Sequence, residues 1–171
     1  PVEHLEYEEV QYWNEFSNLI SDARINCSST FGLCWAGFAL AYLSGIPKVN
    51  FSEKLFGVFE LDNLDTSHPL TCALDDKFFC PQSRYAGLSD HAMEKAQLNG
   101  EINLLAYGKE SGYTIFESTD HRQLMHIGHP EYNAGRLANE AIRDRYNPSV
   151  PAISNFDFNN PMNQWRMHRN T

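Results

Sequence analysis

The spacing of apolar residues along the chain predicts four helices. From Glu8 to Asp22 apolar residues recur every three or four positions, as on one face of an amphipathic helix. Apolar residues with the same spacing follow Cys34 and predict a second helix, which Ser44-Gly45 is expected to end. The other two helices are predicted from Ser89 or Asp90 to about Gln97 and from about Ala134 to Tyr146, the last with a buried stripe of Leu137, Ala138, Ala141 and Ile142.

Short apolar runs between turn residues predict the strands. These strands lie before Cys34 and at residues 56–61, 77–80, 102–107, 113–118 and 123–127. The polar stretches at 48–54, 62–76 and 82–85 are predicted to be loops, and Pro81 is expected to end the strand at 77–80. Helices and buried strands in this order indicate a three-layer α/β domain.

Composition and charge narrow the class of protein. The 171 residues are 42% hydrophobic and 20% charged, as in a single soluble globular domain. A net charge of −9 at pH 7 argues against a nucleic-acid partner, because such proteins normally carry a basic face. No apolar run has the length of a membrane span, so the sequence predicts no membrane partner.

The cysteines and histidines do not have the spacing of a metal site. The four cysteines, Cys27, Cys34, Cys72 and Cys80, form no C-x-x-C pair. This pattern predicts neither a zinc site nor a disulfide framework, and it favours a reducing, cytoplasmic compartment. The seven histidines are not spaced as a ligand set either, so we expect no metal and no bound cofactor.

Cys34 is the first candidate for chemistry, because it lies where a short buried strand turns into a helix. At such a turn the free N–H groups and the helix dipole stabilise an anion, which lowers a thiol pKa and leaves donors for an oxyanion. The nucleophile elbow of hydrolases has the same geometry with serine. The alternative is a buried structural cysteine.

The segment Gly128-His129-Pro130-Glu131 is the second candidate, since it follows a strand and precedes a helix. Functional residues of α/β sheets gather at that edge, so His129 and Cys34 are predicted to face each other. Glu131 would orient the imidazole, which completes a nucleophile, a base and an orienting carboxylate. The alternative is that His129 caps a turn and Glu131 is a solvated carboxylate at a helix start.

A set of short segments extends along nearly the whole chain. It includes Tyr12-Trp13, Cys34-Trp35, Gly45-Ile46-Pro47-Lys48, Glu53-Lys54-Leu55, Ser83-Arg84-Tyr85, Gly128-His129-Pro130-Glu131-Tyr132, Arg143-Asp144 and Trp165-Arg166. In this order the segments resemble the homoserine O-acyltransferases of the homoserine transsuccinylase family. The resemblance implies a flavodoxin-like fold, similar to class I glutamine amidotransferases. Because relatives continue beyond both ends, residues 1–171 are expected to be one catalytic domain, the C-terminal part of a longer chain, truncated at the N-terminus.

The resemblance implies ping-pong acyl transfer to the hydroxyl of L-homoserine, in methionine biosynthesis. Cys34 would carry the acyl group as a thioester, His129 would act as the base and Glu131 would orient it. Lys54, Ser83 and Arg143 would contact the amino-acid substrate. The Trp35 backbone N–H is the candidate oxyanion donor, with a second donor from the 2–4 loop. Without the resemblance, Lys54 and Arg143 would be interpreted as ordinary surface charges.

Glu3 stands at the position that the resemblance links to acyl-CoA specificity. A small residue there resembles users of succinyl-CoA, and a glutamate resembles users of acetyl-CoA. A glutamate would fill the space and repel the distal carboxylate of a succinyl group. We therefore expect acetyl-CoA as the co-substrate. The alternative is that Glu3 is a surface carboxylate in the acidic stretch that includes Glu6, Glu8 and Glu9.

Other functions stay open at this point. The identity of the acceptor is one open question. Gln82 stands where relatives often carry His, beside a predicted substrate residue. Serine differs from homoserine by one methylene, and hydrophobic contacts discriminate one methylene by only about 1–3 kcal/mol. A serine O-acetyltransferase of cysteine biosynthesis and a succinyl-CoA user are therefore alternatives. An amidotransferase-like hydrolase and a catalytically silent binding module are two more. The sequence also leaves a homodimer open.

Overall fold

The computed structural model describes residue 2 and residues 5–160. A short 3₁₀ helix at Tyr7–Glu9 precedes the first α-helix. The helices are α1 (Trp13–Asn26), α2 (Trp35–Leu43), α3 (Asp90–Leu98) and α4 (Arg136–Asp144). The strands are β1 (Thr30–Leu33), β2 (Lys48–Asn63), β3 (Lys77–Leu88), β4 (Ile102–Gly108), β5 (Gly112–Ser118) and β6 (Gln123–His126).

The six strands of the described residues form one mixed sheet in the order β1-β6-β5-β4-β2-β3. Strands β1 and β6 are parallel, with Leu33 opposite His126, and the other neighbours are antiparallel. Because β1 and β6 run in the same direction, the chain leaves both at the same edge of the sheet. Cys34 and the segment that contains His129 therefore start from adjacent points, as the sequence predicts.

Apolar side chains pack on both faces of the sheet. The largest cluster joins the helices α1, α2 and α3 to the sheet and includes Trp13, Leu40 and Met93. Two smaller clusters complete the core. One contains Leu61, Phe78, Cys80, Leu105, Ala106 and Ile115, and the other contains Phe56, Val58, Tyr132 and Leu137 with Ile153 and Phe156 packed against it.

A non-helical segment after α4 returns to the middle of β2. The Lys54 N–H donates to the Ser149 carbonyl (3.0 Å), and the Val58 N–H donates to the Ser154 carbonyl (3.1 Å). Gly57 permits this close approach, because a Cβ there would lie 2.3 Å from the Ser154 carbonyl oxygen. We call residues 149–155 the return segment. Its hydrogen bonds satisfy β2 amides where β4 does not pair with them.

The strands β2 and β3 are longer than the sequence pattern predicts. Residues 48–54 and 82–85 are predicted loops, yet they belong to these two strands. The prediction that Pro81 ends a strand is also wrong, since Pro81 pairs with Val58 inside β3. β3 is the last strand in the sheet order, and such an edge strand tolerates a residue without an N–H.

The predicted ends of α1 and α4 differ from the observed ones. Residues 8–12 precede α1 instead of belonging to it, and α1 continues to Asn26, past the predicted end at Asp22. α4 is shorter than predicted at both ends. The predicted apolar stripe on α4 is wrong at Ile142, which is 55% exposed, whereas Glu140 is buried. None of the described helices is long and apolar enough to cross a membrane.

Candidate active site

The turn between β1 and α2 holds Cys34 in a strained backbone conformation. Its φ is 48° and its ψ is −115°, and its N–H donates to the His126 carbonyl (2.8 Å). Conformations of this kind cost about 1–3 kcal/mol and persist only where the surrounding structure imposes them. Two glycines allow the tight turn, because a Cβ on Gly32 would meet Leu40 at 2.7 Å and one on Gly37 would meet the Gly32 carbonyl at 3.0 Å. The half-buried thiol is thus held at the N-terminus of α2.

His129 faces Cys34 and is oriented by Glu131. Its Nδ1 lies 2.8 Å from Oε1 of Glu131, and its ring stacks on Tyr132 with centroids 4.2 Å apart. Burial alone would lower the pKa of His129, but hydrogen bonds with Cys34 and Glu131 outweigh it and raise the pKa to about 9. Since Nδ1 is engaged by Glu131, the Nε2 atom is the one available to the thiol. We call Cys34, His129 and Glu131 the nucleophile half of the site.

The carboxylate of Glu131 stays ionised in this arrangement. Its side chain is 47% exposed, and although partial burial raises its pKa, the hydrogen bond with His129 brings the net shift below the usual value. A negative Glu131 stabilises a positive imidazolium on His129. The three side chains therefore place a positively charged imidazolium beside Cys34, an arrangement that suits a cysteine nucleophile.

A buried ion-pair cluster forms the second half of the site. Lys54 on β2 reaches Glu140 on α4 (Nζ to Oε2, 3.2 Å) and Asp144 (Nζ to Oδ2, 3.1 Å). Ser83 on β3 donates to Glu140 Oε2 at 2.5 Å. Arg143 pairs with Asp144 at 2.5 Å, with its own side chain 59% exposed. We call these five residues the acceptor half.

Glu140 is the residue that the sequence analysis missed. Its carboxylate also accepts a hydrogen bond from the Tyr132 hydroxyl (2.7 Å) and pairs with Arg136 (3.0 Å). Burial would raise its pKa, but hydrogen bonds from Ser83 and Tyr132 and the charge of Lys54 lower it below the usual range. A signal was present, because Glu140 falls on the apolar side of α4 one turn after Leu137.

One cleft of about 550 Å³ joins the two halves. Its lining includes Cys34, His129, Lys54, Ser83, Glu140 and Arg143. The structure thus brings together all the predicted catalytic and substrate-binding side chains except Glu131, which lies behind His129. Glu3, predicted to select the acyl donor, lies outside the described residues, as does most of the 2–4 loop.

A second, smaller cavity of about 30 Å³ also borders Cys34. It is lined by Tyr7, Cys34, Trp35, Phe38, Lys48, Arg84 and Ala86. Trp35 is the first residue of α2, so its N–H has no acceptor within the helix. The cavity therefore borders Cys34 and the N-terminal end of α2.

A buried polar layer supports the site from behind. The Arg84 guanidinium donates to Gln82 Oε1 (2.9 Å) and to the Ser111 carbonyl (2.6 Å). Alternation along β3 buries Gln82 and Arg84 and turns Ser83 to the cleft. Burial lowers the pKa of His126 to about 4, so this histidine is neutral at pH 7. Gln82 is buried, contacts Arg84 and does not line the cleft, so we interpret it as a supporting residue.

Comparison with known sequences identifies the family. The family profile described as homoserine O-succinyltransferase matches residues 1–171. The chain belongs to the homoserine O-succinyltransferase family. This confirms the family resemblance that the short segments indicate.

Relatives in this family carry two activity names. The Homoserine O-acetyltransferase of Bacillus subtilis (strain 168) is 35% identical over 174 residues, which are 98% of this chain and 57% of the relative. That of Methanomassiliicoccus intestinalis is 37% identical, with 98% of this chain and 56% of the relative covered. The Homoserine O-succinyltransferase of Photorhabdus laumondii is 35% identical, with the same two coverages. The chain thus spans a little more than half the length of these curated relatives.

Solved structures show that this member of the homoserine O-succinyltransferase family has the expected fold. A glutamine amidotransferase from Thermotoga maritima gives a TM-score of 0.68 at 11% identity, over 97% of this chain and 70% of that one. A glutamine amidotransferase from Methylobacillus flagellatus gives 0.66 at 14% identity, over 95% and 68%. The α/β fold of class I glutamine amidotransferases is thereby confirmed, whereas at such identities the likeness carries no information on activity.

Proposed function

We propose that this chain is the catalytic part of an acyltransferase that moves an acetyl group from acetyl-CoA to the hydroxyl of L-homoserine, in methionine biosynthesis. The observation that carries the proposal is the single cleft in which Cys34 and His129 face an ion-pair cluster suited to an amino acid. Membership of the homoserine O-succinyltransferase family supports the same reaction class.

In the first half-reaction the Cys34 thiolate attacks the thioester carbonyl of the acyl-CoA. A new S–C bond forms, and the oxyanion is stabilised by the Trp35 N–H at the start of α2. The C–S bond to CoA then breaks, and the leaving thiolate takes the proton of the His129 imidazolium. The acyl group remains on Cys34 as an enzyme thioester.

In the second half-reaction the neutral His129 accepts the proton of the acceptor hydroxyl. The hydroxyl oxygen bonds to the acyl carbon, and the Cys34–carbon bond breaks, which restores the thiolate. His129 becomes an imidazolium again, stabilised by Glu131 at 2.8 Å. Each proton taken in one half-reaction is given back in the other, so no external acid or base is needed.

The acceptor half provides a group for the α-carboxylate of the amino acid. The exposed guanidinium of Arg143 suits the carboxylate through a bidentate pair. Lys54 and Ser83 lie next to it, both held by Glu140. A substrate that enters between Arg143 and Cys34 would present its side-chain hydroxyl to His129.

Two features support acetyl as the transferred group. The cavity of about 30 Å³ that borders Cys34 suits a two-carbon group better than a four-carbon one. Glu3 is expected to repel a second carboxylate on the donor. Lys48 and Arg84 also line the cavity and would attract such a carboxylate, which makes a succinyl donor the second candidate.

The deciding experiment is intact mass spectrometry after mixing the protein with acetyl-CoA, and separately with succinyl-CoA. We expect one acetyl adduct that homoserine discharges, and no adduct on Cys34→Ala. Cys72→Ala, at an exposed cysteine away from the cleft, is the matched control and should keep the adduct. Faster discharge by serine than by homoserine would indicate a serine O-acetyltransferase of cysteine biosynthesis. A succinyl adduct in place of the acetyl adduct would show that succinyl-CoA is the donor.

Two further outcomes would overturn the proposal as a whole. Ammonia release from glutamine without any CoA ester would indicate an amidotransferase-like hydrolase. A folded protein that forms no adduct with either donor, both as this chain and at the full length of its relatives, would be a silent binding module.

A further inference from the structure

Three side chains converge at the edge of the sheet opposite the candidate active site. His68 belongs to the loop between β2 and β3, Glu117 lies near the end of β5, and His121 lies in the turn before β6. Nε2 of His68 is 2.9 Å from Glu117 Oε1, and Nδ1 of His121 is 2.5 Å from the same oxygen. We propose that His68, Glu117 and His121 bind a divalent transition-metal ion, with Zn²⁺ as the best fit.

The ligand chemistry fits such an ion. Two imidazole nitrogens and one carboxylate oxygen form a common ligand set for Zn²⁺, which is four-coordinate and leaves one position for water. The three ligand atoms all lie within 4.8 Å of one another. Tetrahedral coordination at about 2.0–2.1 Å would separate them by about 3.3 Å. Small side-chain movements suffice, since His121 is 65% exposed on its side chain.

The charge of Glu117 supports the same conclusion. The residue is only 2% exposed, and within the described part of the chain its side-chain hydrogen-bond partners are two imidazoles and the amide of Asn103 (3.0 Å), none of which carries a permanent positive charge. A buried carboxylate without a cation is costly, and charged groups inside proteins are normally paired or bound to metals. A dication between Glu117 and the two histidines would supply the missing charge.

The backbone of His121 has an uncommon left-handed conformation. Its φ is +57°, which a histidine adopts only at some cost, and its imidazole contacts Glu117 on β5. His68 is held in a tight turn, where its N–H donates to the Asp65 carbonyl (3.2 Å). Metal binding at Nε2 would move the His68 proton to Nδ1 and give up one long contact from the Leu70 N–H (3.3 Å). Leu70 lies on the surface, where water can replace that contact.

The proposal departs from the expectation that the chain binds no metal, which rested on the spacing of histidines along the sequence. The ligands are 49 and 4 residues apart, so no short motif reveals them. It does not depend on the proposed function, because the three residues are absent from the cleft. A bound ion would fasten the 64–76 loop to the turn between β5 and β6.

The test is calorimetric titration of chelator-treated protein with Zn²⁺, together with thermal unfolding with and without the ion. We expect one bound ion per chain and a higher Tm. His121→Asn should weaken binding by more than about tenfold, and asparagine tolerates the positive φ at this position. Glu117→Gln should have the same effect. The matched control is His91→Asn, at an exposed histidine of α3.

A separate control tests whether a cysteine binds the added Zn²⁺, since thiolates are also zinc ligands. Cys34→Ala should leave binding unchanged. Visible spectra with Co²⁺ should show tetrahedral bands without thiolate charge transfer. Binding that survives both His121→Asn and Glu117→Gln, or that disappears in Cys34→Ala, would overturn the proposal. So would the absence of any binding to the folded wild-type chain.

Discussion

The nucleophile half takes its geometry from the backbone, whereas the acceptor half takes it from buried charge. Cys34 is fixed by a strained turn between a strand and a helix, and His129 follows a parallel neighbouring strand. Lys54 and Glu140, in contrast, come from β2 and α4 and are held mainly by each other and by Ser83. The comparison suggests that changes in the first half alter chemistry, while changes at the buried charges of the second half, Lys54 and Glu140, first alter folding.

The largest effect on folding is expected from Glu140→Ala. The substitution leaves the buried ammonium of Lys54 with one fewer carboxylate and should lower the free energy of unfolding by about 3–5 kcal/mol. Urea denaturation measures the change. Asn139→Ala, on the exposed side of the same helix, should stay within about 0.5 kcal/mol. Equal losses in the two variants would contradict the idea that buried charge organises the acceptor half.

A smaller effect, on rate rather than on folding, is expected from Glu131→Gln. The variant keeps the size of the side chain but removes the charge that stabilises the His129 imidazolium. We expect kcat to fall by about 10²-fold with KM for both substrates nearly unchanged. Steady-state kinetics tests this. A large loss of stability with unchanged kcat would place Glu131 among structural residues instead.

Two neighbouring histidines should make stability depend on pH in opposite directions. The pKa of buried His126 is lowered to about 4, so its contribution is lost as pH falls from about 6.5 to 4. The pKa of His129 is raised to about 9, so its contribution is complete below about pH 6.5 and lost as pH rises towards 9. Unfolding free energies between pH 4 and 10 should show both limbs. His129→Asn should flatten only the alkaline one, and an unchanged alkaline limb would contradict the assignment.

The smallest effect is expected from Arg143→Lys. A lysine keeps the charge but loses the bidentate contact with a carboxylate, so KM for the amino acid should rise about tenfold with kcat retained. Stability should change little because the side chain is largely exposed. Arg145→Lys, at an exposed position just past α4, is the control. A rise in KM for the acyl-CoA instead would indicate that Arg143 binds the acyl donor and not the amino acid.

The sequence predicts the nucleophile half better than the acceptor half for a physical reason. Cys34 and His129 belong to local patterns, in which an apolar strand ends at a small-residue turn, and such patterns are visible in a short window. Lys54 and Ser83 lie in polar stretches that look like loops, yet the structure builds them into strands. Their polar groups are satisfied by α4, which lies far away in sequence, so no local pattern reveals the burial.

Glu140 was missed for a different reason, although it falls on the apolar side of α4. A carboxylate is normally placed on the exposed side of a helix, and Ile142 is the natural candidate for the core. In the structure Glu140 is buried and Ile142 is exposed, because Glu140 gains a lysine, a serine and a tyrosine as hydrogen-bond partners. The metal-binding cluster proposed at the opposite edge escapes sequence analysis because His68 is distant from the other two ligands.

The return segment has a consequence for the smallest piece of this protein that can fold. Its carbonyls accept hydrogen bonds from the amides of Lys54 and Val58, in the middle of the longest strand. A chain cut before residue 149 would leave these amides to water and would remove the backbone contact at the base of the Lys54 side chain. The minimal folding unit therefore extends through about residue 155, well past α4.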